Sequence, residues 1–180
     1  MPLIRTHRNW AAFFCRAALA GVFIPHGLDK LYAYPPLGWA GPDAWAAQVV
    51  ELLHYEWMPL EYKIWASQAS AWTEVIAGGL CVVGLLVRLA MIPLMINIGA
   101  AIALVSAKNG FWINHTVGGV PAPGFEYHMV LLLVAFGLLC SGAGSLSLDK
   151  LISSEPEIDE YEEEYIYEED DEDDDGDQRR

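Results

Sequence analysis

The sequence predicts an all-α membrane protein: a bundle of four transmembrane helices followed by a disordered acidic C-terminal tail. Three observations lead there. Of 180 residues, 54% are hydrophobic. Charge is segregated, because residues 1–154 hold eight acids and eight bases while the last 26 residues hold 16 acids and two bases, so the whole net charge of −14 belongs to the tail. The body thus carries 16 charges in 154 residues, about 10%, where soluble domains carry about 25%. Finally, 89–107 and 127–148 run for 19 and 22 residues without a charge. Each reaches the roughly 18 residues that a hydrocarbon core of about 30 Å demands of a helix. This pattern excludes an acidic soluble protein, and a neutral body offers no basic surface for nucleic acid.

Residues 1–9, with Arg5 and Arg8, form a basic N-terminus. The first helix is expected over 10–34 and contains Arg16, His26, Asp29 and Lys30. A signal peptide ending at Ala18-Leu19-Ala20 is the competing reading. Arg16 interrupts its apolar stretch, and the apolar character continues past Ala20, so the helix is expected to stay. Pro25 lacks an N–H and should loosen the helix there.

In the following loop, Asp43 is expected to cap an interfacial helix over 44–57, with Trp45, Val49, Leu52 and Leu53 on its apolar face. Pro35-Pro36, Gly41-Pro42 and Pro59 act as breakers around it. The second membrane helix is expected over 64–87, where Glu74 is the one ionisable residue before the end. The third is expected over 89–107 and the fourth over 126–148.

Together 10–152 make the membrane domain, and 153–180 the tail. Sixteen like charges with almost no aliphatic residues predict disorder. The tail reads either as a solvated extension or as a docking strip for a basic partner. Lys and Arg favour the side bearing Arg5, Arg8, Arg88 and Lys150, which places both termini in the cytoplasm of a multi-pass plasma-membrane protein.

Motifs for self-contained chemistry are missing. Cys15, Cys81 and Cys140 lie singly in three different helices, without the spacing of a disulfide or metal site, so no metal is expected. There is no phosphate loop, nucleophile elbow or dinucleotide fingerprint, and no cofactor is evident from motifs.

What remains is the set of polar residues inside the membrane, each costing about 2.5–3.5 kcal/mol on insertion scales. At 1.5 Å per residue, Arg16 lies roughly 9 Å in from Trp10, Asn97 roughly 13 Å, Glu74 roughly 21 Å, His26 roughly 24 Å and Lys30 roughly 30 Å. His26 and Lys30 share a helix face, and Glu74 is within snorkelling reach of Lys30. The expectation is a polar pocket of His26, Lys30, Glu74 and Glu126, open to the outer face, with His128 reaching it. The opposing reading is a buried ion-pair network that only fixes helix register. Arg16 and Asn97, matched in depth, are expected to be structural. Gly78, Gly79, Gly84 and Gly99 are expected at close helix contacts.

In order along the chain stand Arg16…Gly21-x-x-x-x-His26-Gly27-x-x-Lys30-Leu31 and Glu74-x-x-x-Gly78-Gly79-Leu80-x-x-x-Gly84-x-x-x-Arg88-x-Ala90. After them come Lys108-Asn109-Gly110-Phe111-Trp112, Gly124-Phe125-Glu126-Tyr127 and Gly142-x-Gly144-x-x-Ser147-Leu148-Asp149. Over about residues 10–152 this series resembles the DoxX family. The resemblance implies a four-helix protein of the bacterial inner membrane. Some family members are small subunits of a thiosulfate:quinone oxidoreductase, and others are linked to thiol or oxidative-stress redox complexes.

The function expected from residues and resemblance together is an accessory or anchoring subunit of a quinone- or thiol-linked membrane complex. Its partners would be the lipid bilayer and redox-complex subunits. Quinone would be the ligand, with His26 and Glu74 handling protons. A small transporter or channel, and a structural assembly factor without catalysis, are the alternatives.

Overall fold

The computed structural model describes residues 10–53 and 58–153. The basic stretch 1–9, the last residues of the helix expected over 44–57, and the tail from 154 onward lie outside the described residues. Of the described residues, 74% are helical.

The first apolar run forms α1 (Trp10–Leu31), which continues through Pro25. Asp29 then organises the chain that follows. Its Oδ1 accepts from Ala40 N at 2.8 Å, and its carbonyl accepts from Gly41 N at 3.0 Å. These bonds close a two-residue hairpin in which β1 (Ala33–Tyr34) pairs antiparallel with β2 (Trp39–Ala40). Pro42 opens α2 (Pro42–Leu52), so the helix starts before Asp43, which sits inside the first turn and caps nothing. The reason is Pro42 itself: its fixed φ suits the first helical position.

Next come α3 (Leu60–Val83) and α4 (Val87–Ala101). The expected boundaries of 64–87 and 89–107 shift because Gly84 adopts a left-handed conformation (φ 68). Its N–H and that of Leu85 both return to Leu80 O, at 2.8 and 3.1 Å, which closes the last turn of α3. Beyond Ala101 the helical path loosens into a π segment (Ile102–Ser106) and a 3-10 turn (Ala107–Asn109).

A second small hairpin, β3 (Thr116–Val117) with β4 (Val120–Pro121), precedes α5 (Glu126–Ser141). The helix expected over 126–148 stops at Ser141, because Gly142 takes φ 81 and its N–H bonds back to Leu138 O at 2.8 Å. The remaining residues turn back and form the short α6 (Leu148–Ile152). Among the described residues, two helical stretches are long and apolar enough to cross a membrane: Trp10–Leu31, with mean hydropathy 1.4, and Val87–Asn109, with mean hydropathy 2.1.

α1 packs antiparallel on α3, α3 on α4, α4 on α5, and α5 back on α1, while α2 lies against α3. The core between them includes Leu19, Phe23, Met91, Leu94, Ile98, Ala135 and Leu138. Two glycines set the spacing of α1 and α3. A Cβ at Gly78 would stand 2.7 Å from Ile24 Cγ1, and one at Gly27 would stand 2.6 Å from Val75 Cγ2. Gly84 is likewise closed in, by Arg16 and Ser147. Gly79 and Gly99 differ from expectation, since a Cβ on either meets nothing within 4 Å. They lie on the outward sides of their helices, a direction that glycine spacing alone does not reveal.

A polar clasp closes the end of the molecule where α1 begins. The buried Arg16 guanidinium (1% exposed) donates to the carbonyls of Cys81, Ser145 and Leu146, each at 2.9 Å. It thereby ties α1 to the end of α3 and to the stretch before α6. Asp149, also buried, accepts from Leu86 N at 2.7 Å and Val87 N at 3.2 Å, while its own N–H donates to Gly84 O at 3.0 Å. The first amides of α4, which no earlier side chain caps, are thus satisfied from α6. These contacts also hold Leu86 at φ 49, a left-handed conformation that a leucine rarely adopts.

Candidate functional site

The site is built around Glu74, midway along α3 and 4% exposed. Lys30, in the last turn of α1, reaches across and pairs with Glu74 Oε1 at 2.5 Å. Asn97 of α4 donates to the same oxygen at 2.9 Å. Three helices therefore meet on one carboxylate. Lys30 is held from its other side by α2, where the Trp45 ring centroid lies 4.4 Å from Nζ in a cation–π contact. The indole of Trp45 is fixed in turn by donating to Ser67 O on α3 at 2.9 Å.

This cluster faces a cavity of about 570 Å³ that Lys30, Trp45, Glu74 and Asn97 line together with a largely apolar wall from α2, α3 and α4. Its volume falls in the range of small-molecule sites, and a few convergent polar groups in an apolar lining are what such sites contain. Val49 and Leu52 of α2, and Leu53 just after it, line it too. The apolar face of α2, expected to lie in the membrane interface, thus covers the cavity. On the far side the cavity opens between α3 and α4, where Ala66, Ala69 and Ile96 are exposed. There it meets a second groove of about 350 Å³, with which it shares Ala69, Thr73 and Pro93.

Of the four residues expected to form a pocket, the structure brings Lys30 and Glu74 together and leaves His26 and Glu126 elsewhere. His26 is exposed on α1. It is four residues from Lys30 on the same face, but its short side chain does not cross to α3 as the lysine stem does. His128 Nδ1 lies 3.5 Å from Ser106 Oγ of the π segment. Glu126 turns into the adjoining loop, where Oε2 accepts from Ile113 N at 3.1 Å.

Asn97 partners Glu74, whereas depth counting had matched it with Arg16. The reason is the zero of the count. Arg16 is level with the end of α3, bonded to Cys81, so α1 begins well beyond that level. Measured from the α3–α4 turn, Glu74 and Asn97 both stand roughly 14–15 Å in, at nine and ten residues.

Sequence reasoning missed the roles of Trp45 and Asp149. Trp45 was expected on an apolar helix face, and its ring does serve as a wall; the cation it faces comes from a distant helix. Asp149 is an acid just beyond a long apolar run, opposite a turn whose amides lack a cap, which is a usable signal. Among the described residues, no group of three or more His, Cys, Asp or Glu is placed to hold a metal ion. Cys15, Cys81 and Cys140 are free thiols.

Among the described residues, two apolar helices of membrane length and buried charge collected where three helices meet agree with a membrane protein. The DoxX family model matches residues 11–107, more than half of the chain and including Arg16, Lys30, Glu74 and Asn97. The chain belongs to the DoxX family. No curated protein and no solved structure matches it.

Proposed function

We propose that this protein is an accessory subunit of a quinone-linked redox complex in the bacterial inner membrane. In this reading its cavity receives the head group of a lipid-soluble quinone. The observation that carries it is the position of Glu74: a buried, ion-paired carboxylate on the wall of a largely apolar cavity that opens between two helices. An amphiphile travelling in the bilayer can enter such an opening sideways. Its ring would meet Glu74, Lys30 and Asn97, while its chain stays among the apolar side chains of α3 and α4. Lys30 supplies N–H donors and Glu74 a carboxylate acceptor, the two kinds of group needed to orient a ring bearing oxygens and to take up or release its protons.

Four spans are proposed, formed by α1, α3, α4 with its π extension, and α5, with both termini cytoplasmic. Support comes from the mutual packing of these helices and from the bases at the clasp end. α5 is 16 residues long, roughly 24 Å, and spans with the help of the flanking loop. Reporter fusions after Ser153 and within 113–122 should report cytoplasmic and external locations respectively; the reverse pattern would overturn the topology.

Purification from native membranes in mild detergent should recover extractable quinone together with partner subunits. If a sample that remains folded contains neither, the functional reading fails and family membership alone stands.

A further inference from the structure

The loop that leads into α5 combines three features that an aqueous loop does not need. From Gly110 to Phe125 it contains no Asp, Glu, Lys or Arg. Residues 111–120 are all exposed, and Trp112, Ile113, Val117 and Val120 are each more than half exposed. The base of the loop, by contrast, turns its backbone on itself. Phe125 N donates to Gly110 O at 3.1 Å, Glu126 N to Phe111 O at 2.9 Å and Gly124 N to Trp112 O at 3.0 Å. Asn109 Nδ2 donates to Pro123 O at 3.0 Å, and Glu126 Oε2 accepts from Ile113 N at 3.1 Å.

We propose that this loop is a membrane-seated anchor, with Trp112, Ile113, Val117 and Val120 set into the boundary between lipid head groups and acyl chains. The inference rests on α5 crossing the bilayer, as proposed above. At the other end of α5, Arg88 Nη2 donates to Cys140 O at 3.3 Å in an exposed position, which marks the level of the head groups there. From that level α5 rises roughly 24 Å, so its first residue lies about 6 Å short of the far edge of a 30 Å hydrocarbon core. The base of the loop is therefore carried below that edge, within the 5–10 Å or so to which interfacial elements sink.

Lipid suits each feature of the loop. Its deepest part is the paired base, where backbone groups must find partners inside the protein. Its exposed side chains are apolar, with an indole of the kind that favours the interface. Lys108, at the edge of the loop, is exposed and long enough to reach the head groups.

The test uses the full chain in phosphatidylcholine vesicles. Cys15, Cys81 and Cys140 are replaced by alanine, and single nitroxides are attached to Ile113→Cys, Val120→Cys and Leu133→Cys. Leu133 is the reference, midway along α5 and 62% exposed. Collisions with oxygen, which concentrates in the acyl chains, are compared with collisions with a water-soluble nickel chelate. Oxygen should be favoured at all three positions, more strongly at Leu133 than in the loop. A nickel-favoured label at either loop position, with Leu133 oxygen-favoured, would overturn the anchor and leave α5 as a span. A nickel-favoured label at Leu133 would overturn the span itself. Poor access of both reagents to the loop labels would show that protein covers the loop, and would also overturn the anchor. Should the cysteine-free chain not fold, Trp112→Phe with its native cysteines decides: the fluorescence it loses relative to wild type should be quenched by shallow-brominated phosphatidylcholine, and quenching by aqueous iodide instead would overturn the anchor.

Discussion

Lys30 and Glu74 form a direct ion pair across a separation of 44 residues, joining the end of α1 to the middle of α3. Removing one member of a buried pair leaves the other charge uncompensated at about 3–5 kcal/mol, whereas replacing both is often close to neutral. The two ends are not equivalent here, because the Lys30 side chain retains 16% exposure against 5% for Glu74. Lys30→Met should therefore lower the melting temperature in detergent more than Glu74→Gln does, and the double variant should be more stable than Lys30→Met alone. Additive losses would show that the pair contributes no coupling.

Adjacent glycines on α3 should behave in opposite ways. Gly78→Leu drives a side chain into Ile24 of α1 and should prevent normal packing, seen as aggregation or a sharp fall in folded yield. Gly79→Ala meets open space and should raise stability by up to about 1 kcal/mol through helix propensity. If Gly79→Ala instead weakens the protein, that face is covered by another molecule in the membrane.

Arg16 and Asp149 close one end of the fold by different means, and their variants should separate in size. Arg16→Leu leaves three carbonyls without their donor, at about 1–3 kcal/mol for each one buried. Arg16→Lys should recover only part of this, since an ammonium lacks the guanidinium's fork of donors. Asp149→Ala removes a helix cap and should cost about 1–2 kcal/mol. Thermal melts followed by circular dichroism would rank the three.

Leu146 has φ 51 and is 65% exposed. A non-glycine residue in that conformation loses roughly 1–2 kcal/mol. Leu146→Gly should relieve the strain at some entropic cost in the unfolded chain, for a net gain of up to about 1 kcal/mol. A lower melting temperature would mean that the leucine side chain is held by contacts outside this chain.

The apolar runs were legible because they record what the bilayer requires over many residues at once. Helix ends are less so: the apolar runs pass straight through Gly84 and Gly142, although a glycine in the left-handed region ends a helix whatever the hydropathy on either side. Lys30–Glu74 could be anticipated because a long side chain forgives errors of depth. Asn97 could not, since its short amide needs the right level, and Glu74 comes to that level only because Gly84 ends α3 earlier than the apolar run does. His26 shows the limit of face arguments, because sharing a stripe with Lys30 did not give it the reach to cross between helices. The cover formed by α2, and with it the closed side of the cavity, depends on a loop folding back over the helices, which no local pattern encodes.

The clasp at Asp149 also bears on the order in which the molecule can be finished. The first amides of α4 receive their partner from a residue 62 and 63 positions downstream. During synthesis, α3 and α4 therefore emerge with their connecting turn incomplete, and it stays so until α5 and the start of α6 have followed. A chain that stops after α5 would contain every long helix and still lack the piece that fastens them.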